Sequence, residues 1–210
     1  MTKRILTFDL ALTALVLVGS SLGQTSPGSP QIFESSDSVF EFSFPKSFVV
    51  CQAADGGWAP AESCWTYIPI CEGSSPASPQ TVACVAYPAS VYKGTNLGGA
   101  AFSVGEAAGA IKQAECLQFD ELTTNPKKAH WQTIGGVKFR ANSGGEGGLR
   151  HGLSKDIFMV FHNGKCYDLE IRTTGTSIDN FPSGAIKEFR DSQRMNAEMR
   201  RILDSFRFLK

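Results

Sequence analysis

A chain of 210 residues with 20 basic and 20 acidic side chains carries no net charge at neutral pH. That balance excludes a strong electrostatic attraction to nucleic acid or to an anionic membrane surface, because both select clearly basic proteins. The length suits one domain with a real core.

The N-terminal segment has the composition of an export signal. A short basic start precedes an apolar run over residues 10–18, and the small residues Ser21 and Gly23 follow it. We therefore predict a signal peptide over residues 1–23 and a secreted or periplasmic protein. A retained membrane anchor is the alternative, but a spanning helix needs about 20 apolar residues, and the run is shorter.

The sequence after residue 23 predicts a leader followed by one domain. Residues 24–36 are rich in Ser, Pro and Gly, which is typical of a flexible leader. We predict a single α+β domain over residues 37–210. The part between the first and fourth cysteines, here called the cysteine-rich segment (residues 51–84), has many Gly and Pro residues and needs a covalent constraint to fold.

Six cysteines behind a signal peptide indicate disulfides. The spacing is symmetrical, with twelve, six and twelve residues between successive members of the first four. It favours nested bridges, Cys64 to Cys71 inside Cys51 to Cys84, and leaves Cys116 to pair with Cys166. A zinc site is the alternative, but the sequence has no C-x-x-C pair, so we expect neither a metal nor a cofactor.

Alternating residues predict strands in the first half of the domain. Phe40, Phe42 and Phe44 recur with a period of two, which is typical of a strand with an aromatic core face. Further strands are predicted over residues 48–51, 81–87, 100–104 and 137–141, with a turn over 95–99 and a short helix over 106–116.

The clearest local signal is Asn163-Gly164, which favours a two-residue type I′ hairpin turn. With that turn, Phe161 faces Cys166, and Phe158, Val160, Tyr167 and Leu169 share one core face. Ile157, Met159, Asp168 and Glu170 share the other. Since both faces carry apolar residues, the hairpin is predicted to lie centrally in a sheet covered on both sides.

From residue 184 onward, apolar residues recur at helical spacing and predict an amphipathic helix, followed by a final strand over 205–209. Strands first, a hairpin in the middle and a helix at the end indicate an α+β fold with a central antiparallel sheet and helices packed on it.

The two ends of this domain resemble PsbP-like domains. Phe40-Glu41-Phe42-Ser43-Phe44-Pro45, followed by Phe48, is similar to the aromatic-rich first strand of that family, and residues 200–208 (RRILDSFRF) are similar to its last helix and strand. The resemblance implies an α/β/α sandwich and an accessory function rather than catalysis. The cysteine-rich segment departs from the family pattern.

A catalytic interpretation has few candidate residues. Asp168 and Glu170 lie two apart on one strand face, so both carboxylates could act in one cleft; the alternative places them at the solvated edge of that face. His151 follows a glycine-rich run, residues 143–150, that we interpret as a mobile loop rather than an anion cradle, because it lacks the P-loop spacing and contains Glu146. No G-x-S-x-G elbow is present.

A binding interpretation has three aromatic candidates in the cysteine-rich segment: Trp58, Trp65 and Tyr67. They predict either an exposed binding surface or a small core of that segment. We therefore predict an exported, non-catalytic binding or accessory module for a protein, glycan or envelope component, with no nucleic-acid partner. The alternative is a small secreted hydrolase that uses Asp168 and Glu170, helped by His151.

Overall fold

The structure is a computed structural model and describes residues 29–52, 62–64, 66–71, 80–107, 109–119 and 124–209. Within these ranges the chain forms ten strands and three α-helices. The strands are β1 (Gln31–Glu34), β2 (Phe40–Phe44), β3 (Val49–Gln52), β4 (Gln80–Ala86), β5 (Leu97–Glu106), β6 (His130–Ile134), β7 (Val137–Gly148), β8 (His151–His162), β9 (Lys165–Thr176) and β10 (Arg207–Phe208). The helices are α1 (Ala89–Tyr92), α2 (Gln113–Cys116) and α3 (Ser192–Ser205).

The strands form two antiparallel sheets. A seven-stranded sheet has the order β3-β4-β5-β9-β8-β7-β6, and a three-stranded sheet has the order β1-β2-β10. Most neighbours in the large sheet are also neighbours in sequence, so hairpins build most of it. The predicted antiparallel sheet is confirmed.

The β8–β9 hairpin forms as predicted. Asn163 and Gly164 have φ values of 48° and 80°, the left-handed conformation that a type I′ turn requires. Phe161 pairs with Cys166 in the resulting register. The hairpin lies centrally in the large sheet, between β5 and β7.

The large sheet has two different faces. On the first, here called the helix face, Phe158, Val160, Tyr167 and Leu169 join the main core. The aromatic residues of β2 and the apolar side of α3 pack against the same core. On the second, here called the disulfide face, Cys64, Ile70 and Cys71 of the cysteine-rich segment pack on β4 and β5, and Phe119 packs on Ile157 and Met159.

The nested disulfide pairing is wrong. The bonds join Cys51 to Cys64, Cys71 to Cys84, and Cys116 to Cys166, so the first two close separate loops of 13 positions each. Only the Cys116–Cys166 bond agrees with the predicted pairing. Cys84 lies on β4 and Cys51 on the neighbouring β3, but β3 and β4 pair with a register irregularity next to Cys51. Each of these cysteines bonds to a residue of the covering segment instead.

Three boundaries also differ from the prediction. Residues 31–34 pair with β2, so the predicted leader over 24–36 extends too far. The helix predicted over 106–116 is reduced to α2, and Glu106 belongs to β5. The predicted helix from residue 184 begins at Ser192. In addition, the glycine-rich run is not a loop: residues 143–148 belong to β7 and pair with β8.

Helices cover less of the large sheet than they would in a sandwich with a helix layer on both sides. In the described ranges α3 has 14 residues, whereas α1 and α2 have four each. Among the residues that the structure describes, part of the cysteine-rich segment and the α2 region cover the disulfide face, and no long helix lies on it. Among the same residues, no helix has the length and apolarity required to span a membrane.

Candidate functional site

Along the β8–β9 hairpin, the strand positions that face the core change from apolar to polar residues. Positions 158 and 160 of β8 are apolar, but the next two positions of the same face toward the strand start are Asp156 and Ser154. Ser154 pairs with Thr173 of β9. Because alternate residues of a strand share a face, these polar side chains lie on the helix face, where the sheet would otherwise continue its apolar core.

A groove opens where these polar residues begin. Its volume is about 640 Å³, and it is lined by residues 150–154, residues 173–177, Asn96, Leu97 and Phe189. A smaller cavity of about 220 Å³ shares Ser154 and Thr173 with it and continues toward α3. Together they form one depression on the helix face, beside α3.

The wall opposite the strands is held by backbone contacts to Asn96. The side-chain Oδ1 of Asn96 accepts a hydrogen bond from the backbone amide of Phe189 at 2.8 Å. The backbone amide of Asn96 donates to the Lys187 carbonyl at 3.0 Å. Residues 187–189 are therefore fixed against the start of β5. This places the Phe189 ring at the groove and against the edge of the main core.

An arginine lies at each end of the depression: one is paired with a carboxylate, and the other is hydrogen-bonded to a backbone carbonyl. At the α3 end, Arg200 lies 2.5 Å from Asp156, which also accepts from the Ser143 hydroxyl. This arginine is neutralised by its partner. At the other end, Arg150 donates to the Asp179 carbonyl at 3.1 Å. A carbonyl carries no net charge, so that contact leaves the guanidinium charge in place.

Asp168 and Glu170 are buried on the disulfide face, each 1% exposed. The expectation that solvated carboxylates would stand at a sheet edge is wrong for both. Arg172 donates from Nε to Glu170 at 2.6 Å and from Nη1 to the Pro69 carbonyl at 3.2 Å. Desolvation, followed by the charge of Glu170, raises the pKa of Asp168 well above its ordinary 3.8.

His151 does not join this acid pair. It pairs with Thr176, which lies eight positions from Asp168 along β9, a distance of about 26 Å at 3.3 Å per residue. Its Nδ1 lies 2.8 Å from the Thr176 hydroxyl, and its ring packs on Tyr67 at 4.9 Å. The residues proposed for a hydrolase are therefore separated along the strands: His151 lines the end of the groove, whereas Asp168 and Glu170 lie near the other end of β9.

Of the predicted aromatic surface, the structure describes Tyr67, whose side chain is 85% exposed. Trp58 and Trp65 lie outside the described residues. Tyr67 and His151 together form a ring pair on the disulfide side of the strand ends.

Three sulfur atoms of the cysteine-rich segment come close together. Those of Cys51, Cys71 and Cys84 lie within 4.8 Å of one another. Each is already bonded in a disulfide, whereas a metal requires the free thiolate. In this state the cluster is a covalent staple of the segment.

We did not predict the groove from the sequence, although the sequence contains a signal for it. Once the Asn163-Gly164 turn sets the register, Ser154, Asp156 and Thr173 occupy positions of the core face. Polar residues at such positions indicate that the face is uncovered there. Asn96 and Phe189 have no comparable signal, because only the folded chain brings them to the strands.

No family model and no curated protein matches the sequence. Among solved structures, the chain is similar to LpqN of Mycobacterium tuberculosis, a protein involved in cell envelope biogenesis, with 14% identity, coverage of 89% and 88% of the two chains and a TM-score of 0.43. It is similar to a protein of Bacteroides thetaiotaomicron, with 9% identity, coverage of 86% and 48%, and a TM-score of 0.40.

It is also similar to the cyanobacterial PsbP of Synechocystis sp. PCC 6803, with 9% identity, coverage of 90% and 98% and a TM-score of 0.44. This match agrees with the PsbP-like resemblance drawn from the two ends of the domain. Identities and scores at this level transfer no ligand or activity. The function of this chain has to be argued from its own groove.

Proposed function

We propose that this protein is an extracytoplasmic, non-catalytic binding module that holds a saccharide in the groove on the helix face. The three disulfides support the compartment, because such bonds persist in oxidising surroundings. The observation that carries the ligand class is the groove floor, where hydroxyl residues occupy positions that would be apolar in a closed core.

The chemistry of the lining matches a sugar ring. Each hydroxyl of Ser154 and Thr173 is both a donor and an acceptor, as is each hydroxyl of a sugar. Leu97 and Phe189 add apolar surface for the C–H faces of the ring. Gly152 and Gly175 pair across the floor and have no side chain to fill it. Apolar walls with a few convergent polar groups are typical of small-molecule sites.

The hydrolase alternative has one observation in its favour, the raised pKa of Asp168 beside a second carboxylate. A general acid must nevertheless come within hydrogen-bond distance of the bond it protonates. Asp168 and Glu170 are buried on the face opposite the groove, and Arg172 is bonded to Glu170. We therefore assign the pair a structural role.

The experiment is a binding titration of neutral and acidic oligosaccharides by calorimetry, with Thr173→Trp as the blocking variant. The indole would occupy the groove floor, so saccharide binding should be lost. Thr133→Trp is the matched control, because Thr133 is exposed on β6, away from the groove; it should bind like the unmodified protein.

Two results would contradict the proposal. One is saccharide binding that survives Thr173→Trp unchanged. The other is release of a hydrolysed product by the unmodified protein that Asp168→Asn abolishes, since that would make the protein an enzyme acting through the buried pair.

A further inference from the structure

The turn between β7 and β8 is made of residues that disfavour it. Leu149 and Arg150 both have positive φ, 50° and 66°. The β8–β9 turn of the same sheet uses Asn163 and Gly164 for the same conformation, which are the residues that adopt it at low cost. A bulky residue in the left-handed region is strained, and such strain concentrates at functional positions.

Hydrogen bonds from the segment that follows β9 hold this strained turn in place. The Ser177 amide donates to the Arg150 carbonyl at 2.8 Å, and the Asn180 side chain donates to the Leu149 carbonyl at 3.4 Å. The Leu149 side chain is 92% exposed, so its burial does not explain the residue choice. What the turn achieves is to place Arg150 at the open end of the groove.

The Arg150 guanidinium has N–H donors that form no hydrogen bond within the described ranges. Its guanidinium has five N–H donors, and its one hydrogen bond within the described ranges goes to the Asp179 carbonyl. No carboxylate of those ranges forms an ion pair with it, in contrast to Arg200, which is paired with Asp156. A guanidinium with a free edge suits bidentate binding of a carboxylate or a phosphate.

We propose that the saccharide bound in the groove is acidic, and that Arg150 binds its anionic group. This inference rests on the proposed function and narrows its ligand class. The strained turn is retained because a relaxed Asn-Gly turn would lack the cation at that position.

Three probes test the ligand class by calorimetry: tetragalacturonic acid, its methyl ester as the neutral match, and glucose 6-phosphate. The acidic probes should bind about tenfold to a hundredfold more tightly than the ester, as expected for one charge-assisted pair. That advantage should shrink as salt is added. The stronger of the two acidic probes identifies carboxylate or phosphate as the anionic group.

Arg150→Ala should remove this advantage: the affinity for the acidic probes should fall to the level of the affinity for the methyl ester. Arg201→Ala, which deletes an exposed α3 cation outside the groove lining, should change neither. If the ester binds as tightly as the acids, or if Arg150→Ala preserves the preference, the inference is wrong and the proposed function stands. If no probe binds, the proposed function fails with it.

A second pair of variants tests the strained turn. Leu149→Asn with Arg150→Gly should raise the melting temperature and lose the preference for acidic probes. Leu149→Asn alone should keep the preference, because Arg150 remains. A double variant that is less stable than the unmodified protein, or one that still prefers the acids, would overturn the assignment.

Discussion

At the residue scale, the most unusual group is Asp168. It lies buried beside Glu170 and Arg172, and one of its carboxylate oxygens has no hydrogen-bond partner among the described residues. A carboxyl group in that position is more stable when it is protonated. The residue therefore makes the stability of the fold depend on pH.

The sign of that dependence follows from the raised pKa. Above about pH 4 the unfolded chain releases the Asp168 proton while the folded chain retains it, so the contribution of this group to the free energy of unfolding falls as the pH rises. The fall ends at the folded-state pKa, and every pH unit by which that pKa exceeds the unfolded value corresponds to about 1.4 kcal/mol. Asp168→Asn should remove this part of the slope.

Urea unfolding between pH 4 and pH 8 measures it. Asp168→Asn should gain stability over the unmodified protein as the pH rises, because asparagine is uncharged throughout. Asp204→Asn, at an exposed position of α3, is the control and should follow the unmodified protein. Parallel curves for Asp168→Asn and the unmodified protein would show that Asp168 ionises normally.

At the element scale, the glycine-rich run is explained by strand contact. A Cβ added to Gly145 would lie 2.4 Å from the Leu153 carbonyl oxygen on the neighbouring strand β8. A Cβ added to Gly148 would meet nothing within 4 Å. The run that we interpreted as a mobile loop is therefore partly a requirement of strand pairing.

Gly145→Ala should destabilise the protein by about 1–3 kcal/mol, because strand β8 must shift to accept the methyl group. Gly148→Ala is the matched control in the same strand and should change stability by less than about 1 kcal/mol, since alanine there meets no neighbour and only restricts the unfolded chain. Urea unfolding of both variants at one pH decides. Equal effects would mean that the close approach at Gly145 is absent in solution.

At the scale of the whole molecule, one aromatic residue joins the two sheets. Phe206 follows α3, is buried, and packs on Phe40 of the small sheet at 5.5 Å and on Phe139 of the large sheet at 6.1 Å. Because both sheets share this contact with the end of the helix, they should unfold together.

Phe206→Ala should therefore cost about 3–5 kcal/mol and keep a single transition, since the lost contacts belong to one common core. Tyr67→Ala, at an exposed ring, should cost less than about 1 kcal/mol. Circular dichroism and tryptophan fluorescence during urea unfolding provide two probes. Separate transitions for the two probes in the variant would mean that the sheets are independent units.

Local patterns were sufficient for the parts of the fold that depend on near neighbours. Three such patterns predicted their elements: the alternating phenylalanines of β2, the Asn163-Gly164 turn with its register, and the amphipathic pattern of α3. They were sufficient because strand and helix periods act within a few residues. The exact limits of the elements were not predicted: Glu106 was expected to begin a helix, whereas its pairing with β4 and β9 makes it the last residue of β5.

The sequence by itself determined that the six cysteines form disulfides, that a hairpin lies centrally in an antiparallel sheet, and that an amphipathic helix lies near the C-terminus. Only the tertiary structure decided which cysteines pair, that Asp168 and Glu170 are buried instead of solvated, and that Asn96, Phe189 and Arg150 meet around Ser154 and Thr173. The physical reason is the same in each case: these features depend on contacts between segments far apart in sequence, and no local period or spacing encodes which distant surface covers a given strand face.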